Sequence, residues 1–211
     1  MSDKRTYEII ILSDCSQEYK VGLELYKAYT KDEYFLKENK EKLDEYDPRT
    51  IHPTKEITEK NSTFKIHFFD IQDRYWPAIS NICKHSDGAI FAIDLDHYTD
   101  EGGKDFVDEW LVNLDDLDKN EMAMIILGIT NPAGDKKKED ELKKSEEGWK
   151  KVEEIANQKK IEMRQINITD EKALKDAFST IFNEISKDGT DNNIKREDAD
   201  IEKILDKYKL F

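Results

Sequence analysis

The stretch from Thr63 to Asp96, TFKIHFFDIQDRYWPAISNICKHSDGAIFAIDLD, constrains the fold more than any other part of the chain. Phe64, Ile66 and Phe68 alternate with polar residues and predict a strand that ends at Asp70. Trp76, Ile79, Ile82 and Cys83 recur at helical spacing, and GAIFAID is a continuous apolar run of strand length. Two strands joined by a helix lie parallel or are separated by a crossover. A run as apolar as GAIFAID belongs in a sheet covered on both faces. An acidic residue then closes each strand, Asp70 on one and Asp94 or Asp96 on the other. That carboxyl edge is where open α/β sheets bind ligands.

The rest of the chain extends the same alternation. YEIIIL, from Tyr7 to Leu12, reads as a short buried strand, and the loop SDCSQEYKVG leads from it into a helix. The apolar face of that helix is Leu23, Leu25, Tyr26 and Tyr29, with Phe35 at its far end; KENKEKLDEYDPRT beyond it is polar surface. ITEKNSTFKIHFF is a hairpin turning at Lys60-Asn61, so one strand of the sheet runs antiparallel. After Asp96, HYTDEGGKDF opens a helix with the stripe Phe106, Trp110, Leu114 and Leu117. MAMIILGI is the next buried strand, and NPAGDKKKEDE a charged loop. Leu142, Trp149, Val152, Ile155 and Ala156 mark a helix, EMRQI a strand, and Leu174, Phe178, Ile181, Phe182 and Ile185 the last helix of the domain. KDGTDNNIKRED, residues 187–198, is a linker by composition. Ile201, Ile204, Leu205 and Tyr208 give residues 199–211 an amphipathic helix that must dock on something. The expected fold is α/β: a six-stranded, mostly parallel, doubly wound sheet with one antiparallel hairpin strand, five helices, and no internal repeat.

Composition narrows the function. With 211 residues the chain is long enough for one domain with a real core, and with 39% charged against 37% hydrophobic residues its surface is dense in charge. A formal net charge of −14 argues against a nucleic-acid backbone or an anionic membrane as the main partner. No apolar run reaches membrane-spanning length, and MSDKRTYEIIILSD has too short an apolar core for a secretory signal, so a cytoplasmic protein is expected. Cys15 and Cys83 make no disulfide framework, and the sequons at Asn61 and Asn167 are then chance matches.

At this level of detail the chain resembles the G domain of Ras-superfamily small GTPases, the Rab and Ras branches especially. The residues that carry the likeness are a strand and phosphate-type loop, YDPRTI, the hairpin, FFDIQDRYWPAI, DGAIFAIDL, MAMIILGITN and INITDEKALKDAFSTIFNEI. The resemblance implies a Ras-like domain over residues 1–186 with P-loop NTPase topology. It also implies a first switch at Tyr46-Asp47-Pro48 and Thr50-Ile51, with Thr50 on the magnesium ion, and a second switch headed by Asp70.

The chemistry of that family can be checked residue by residue. A triphosphate is held by G-x-x-x-x-G-K-[ST], because glycine lets successive backbone N–H groups turn inward on the phosphates. With Lys20 as the phosphate lysine, the glycine positions hold Asp14 and Tyr19, and the magnesium hydroxyl position holds Val21. Asp14 and Glu18 add negative charge beside phosphate, a penalty on the order of several kcal/mol at a partly buried site. D-x-x-G reads Asp70-Ile71-Gln72-Asp73, and Arg74 stands where a Gln orients the attacking water. N-K-x-D has become Ile129-Thr130-Asn131-Pro132, and S-A-K reads Asn167-Ile168-Thr169. The frame is kept while the deciding residue at each of these sites is gone.

Other chemistry is weaker. DLDHYTDEGGKD fails as a calcium loop because Tyr98 and Thr99 occupy a ligand position and the required glycine. His52, His67, His85 and His97 show no metal-ligand spacing and read as core or surface histidines. Cys15 beside Asp14 reads as an ordinary thiol. The last four residues are Tyr-Lys-Leu-Phe, without the cysteine that prenylation needs, so no stable membrane anchor is expected.

Two readings of function follow from the resemblance. The first is a pseudo-GTPase without cofactor, a non-catalytic module that binds protein partners through Tyr75, Trp76 and Ile79 on its switch-like surface and through its C-terminal helix, in trafficking or in a cytoskeletal or ciliary complex. The second is an atypical small GTPase that still binds GTP or GDP with Mg through Lys20, Thr50 and Asp70. A third, unrelated reading is a flavodoxin-like or response-receiver sheet with Asp14, Asp70 and Asp94 as an acidic cluster. The hairpin argues against it, because such sheets are all parallel.

Overall fold

The computed structural model describes residues 6–14, 21–31, 54–59, 62–71, 76–95, 122–130 and 139–188. In chain order these form β1 (Thr6–Asp14), α1 (Val21–Thr30), β2 (Thr54–Glu59), β3 (Ser62–Ile71), α2 (Trp76–His85), β4 (Gly88–Asp94), β5 (Ala123–Thr130), α3 (Glu139–Lys159), β6 (Glu162–Asn167) and α4 (Glu171–Asp188). The expected helix at Phe106 to Leu117, Phe35, the C-terminal helix and most of the 187–198 linker lie outside the described residues. Helix α4 continues to Asp188, past the expected domain end at 186.

The strands form one sheet in the order β2-β3-β1-β4-β5-β6. β2 and β3 are antiparallel, with Glu59 opposite Ser62 across the expected turn, and every other neighbouring pair is parallel. The strands on either side of α2 are therefore not neighbours, since β1 runs between β3 and β4. β4 is buried along its whole length and β5 up to its last residue, Thr130, as a strand covered on both faces requires.

Alternation along each strand separates two cores. On one face Ile10, Leu12, Phe69, Phe91, Ile93 and Ile126 pack against Ile82 and Cys83 of α2 and Val152 and Ala156 of α3. On the other, Ile9, Ile11, Ile66, Phe68, Ile90 and Ile125 pack against Leu25 and Tyr26 of α1 and Phe178 and Ile181 of α4. Helices on both faces make this a doubly wound sheet. Among the described residues no helix is long and apolar enough to cross a membrane.

A run of stacked rings fastens the second core. Tyr7 stacks on Phe64 at 5.4 Å, and Phe64 on Phe182 at 4.1 Å. Phe182 meets Phe178 edge-on at 6.1 Å, and Phe178 lies flat against Tyr29 with centroids 3.5 Å apart. The stack thus joins β1, β3, α4 and α1, and such contacts add about 0.5–1.5 kcal/mol per pair to the area they bury.

Local chemistry sets the helix ends. Asp170 Oδ1 accepts from the backbone N–H groups of Lys172 and Ala173 and caps α4. α1 and α3 stop where Lys31 and Lys160 adopt positive φ, 48° and 54°. At the second of these, Ile161 N–H reaches back to the Ala156 carbonyl, satisfying one of the helix's last acceptors.

Phe178 is fully buried, and Phe178→Ala is expected to cost about 3–5 kcal/mol of unfolding free energy, read from urea denaturation. Tyr29 is expected to set part of the alkaline limit. Burial, and then the Glu59 carboxylate, hold its phenol above the ordinary 10.0, so the folded state favours the neutral form. Its contribution is complete below the unfolded value and is lost as pH rises through the folded one. Urea unfolding between pH 8 and 11 should therefore fall less steeply in Tyr29→Phe than in the wild type.

Candidate functional site

The carboxyl edge of the sheet gathers the residues that the sequence marks at the strand ends. Ser13 is in register with Asp70 of β3 on one side and Ala92 of β4 on the other, and Asp14 is in register with Ile71. Two positions past Ala92, Asp94 closes β4 and is buried. The topology therefore brings the backbones of Asp14, Asp70 and Asp94 to the ends of three adjacent parallel strands.

Helix α1 covers this edge from the second core's side, and its approach depends on a glycine. A Cβ placed on Gly22 would lie 2.5 Å from Ser13 Oγ, 2.6 Å from Ser13 Cβ and 2.7 Å from the Phe68 ring. Only a residue without a side chain lets the first turn of α1 settle on the end of β1 at this distance. Ser13 is fully buried there, and its hydroxyl has no hydrogen-bond partner among the described residues. An unsatisfied buried hydroxyl is destabilising. The sequence gives no warning of this contact, because a glycine inside a helix reads as a weak point and a serine at a strand end as ordinary.

The residues expected to act fall into two groups. Lys20, Thr50 and Tyr75 lie outside the described residues. Asp70 is the penultimate residue of β3, Trp76 opens α2 and Ile79 is in its first turn, all three placed by backbone, with their side chains outside what is described. Trp76 and Ile79 thus start a helix that leaves the same sheet edge on which Asp70 ends.

A second polar group lies across the strands and was missed by sequence reading. His67, buried on β3, has Nε2 2.6 Å from Glu8 Oε2 on β1 and Nδ1 3.0 Å from Thr54 Oγ1 on β2. A carboxylate only accepts, so Nε2 carries a proton, and Nδ1 either accepts from the threonine hydroxyl or, in the imidazolium, donates to it. Both ring nitrogens are engaged, which makes this a satisfied core histidine that ties three strands together. Glu8 extends the tie to the start of β4: its N–H donates to Asp87 Oδ2, and Asp87 N–H donates to the Glu8 carbonyl, both at 2.8 Å.

Among the described residues no three His, Cys, Asp or Glu side chains are grouped to hold a metal ion. Cys83 is buried against the sheet, and desolvation pushes its thiol up to about 12, so at neutral pH it is an unreactive apolar side chain.

No family model matches the chain, and no curated protein matches it.

The Ser13–Gly22 contact makes opposite predictions for its two members. Ser13→Ala removes an unsatisfied polar atom and should stabilise the fold by about 1–3 kcal/mol. Gly22→Ala forces backbone and side chains apart and should destabilise it by about 1–3 kcal/mol. Urea midpoints of the two variants against the wild type decide both.

Proposed function

We propose that the chain is a Ras- or Rab-like pseudo-GTPase, a non-catalytic module whose sheet and helices present a protein-binding surface in a trafficking, cytoskeletal or ciliary complex. The observation that carries this reading is what joins β1 to α1. The six residues between Asp14 and Val21 are CSQEYK, without a glycine, and the strand before them ends in an aspartate. A phosphate chain at that junction needs successive inward N–H groups and a positive surround. In the sequence every one of those positions is a residue with a side chain, and Asp14 and Glu18 are carboxylates, whose charge would oppose the ligand's.

Further support comes from the strand order with a single antiparallel member, which is compatible with a P-loop-type sheet. The connection from β3 to α2, residues 72–75, reads QDRY and also lacks the glycine that meets a γ-phosphate. In this reading Tyr75, Trp76 and Ile79 form an aromatic and apolar anchor at the start of α2, residue types enriched at binding hot spots. The C-terminal stripe Ile201, Ile204, Leu205 and Tyr208 supplies a second contact.

One observation keeps a second reading in play. Asp70, one residue before the end of β3, is in register with Ser13 near the end of β1, where a magnesium-bound nucleotide would sit if Lys20 and Thr50 completed the set. The two readings separate on one measurement, mass spectrometry of small molecules extracted from the purified protein. The pseudo-GTPase is expected to release no guanine nucleotide. A stoichiometric GTP or GDP signal, lost in Asp70→Ala, would establish the working GTPase and reject the interaction module.

A further inference from the structure

We draw no further inference here: the strongest candidate, the buried Ser13 hydroxyl near the end of β1, which has no partner among the described residues and packs against Gly22 in the first turn of α1, belongs to the carboxyl-edge site already described.

Discussion

The double burial of β1 is the constraint on which the rest of the structure depends. The strand is paired over nine positions with β3 and five with β4, so both of its edges are used. Ile9 and Ile11 face one helical layer, Ile10 and Leu12 the other, and all four are almost wholly excluded from solvent. A strand in that position forces helices onto both faces, and an unpartnered polar side chain on it is costly. The stacked rings from Tyr7 to Tyr29 then decide how α1 and α4 sit. They fix the second layer to β1 and β3 by ring faces, whose geometry is more restrictive than aliphatic contact.

Polar groups in this interior are handled in two ways. His67 is the costlier group to bury, and it is fully engaged: the carboxylate of Glu8 and the hydroxyl of Thr54 reach it from the strands on either side. That arrangement specifies alignment, because sliding β2 by one residue moves Thr54 to the other face and strands Nδ1. Ser13 is the reverse case, a fully buried hydroxyl with no partner among the described residues. It lies where β1 gives way to the loop and where α1 comes closest to the sheet. Departures from complete satisfaction cluster at functional positions in working proteins, and here the departure falls at the edge that carries the proposed, altered phosphate site.

Much of this was legible in the sequence, for reasons visible in particular residues. GAIFAID and MAMIILGI are apolar without alternation, as only strands buried on both faces can be, and the stripe from Leu174 to Ile185 keeps a helical period through a charged background. The hairpin was readable from two strand-like runs separated by Lys60-Asn61. What the sequence did not contain was the neighbour relation between distant strands. The helix between β3 and β4 says that they are parallel, and nothing in it says that β1 lies between them. The Glu8–His67–Thr54 row was hidden for the same reason, its members being 59 and 13 residues apart. Lys31 and Lys160 end helices in the left-handed conformation where a reader looks for glycine or asparagine. Of the candidate site, only the backbone positions of Asp70, Trp76 and Ile79 followed from periodicity; Lys20 and Thr50 came from resemblance alone.

A phosphate site and the sheet that would carry it make different demands on a chain, and they act on different residues. The scaffold is specified by the apolar positions of its inner strands, which tolerate change in the loops. A phosphate loop is specified by the absence of side chains over a few consecutive positions, so each added side chain removes an amide from reach and each added carboxylate opposes the ligand directly. The inner strands β1, β3, β4 and β5 satisfy the first demand, while CSQEYK and QDRY do not meet the second at the two connections that a triphosphate would touch in the proposed reading. A chain that binds a triphosphate in this way needs glycines there more than it needs the identity of any one core isoleucine. Residues with side chains throughout those two connections, beside a well-packed sheet, are what support the proposed surface-recognition reading over the nucleotide-binding one.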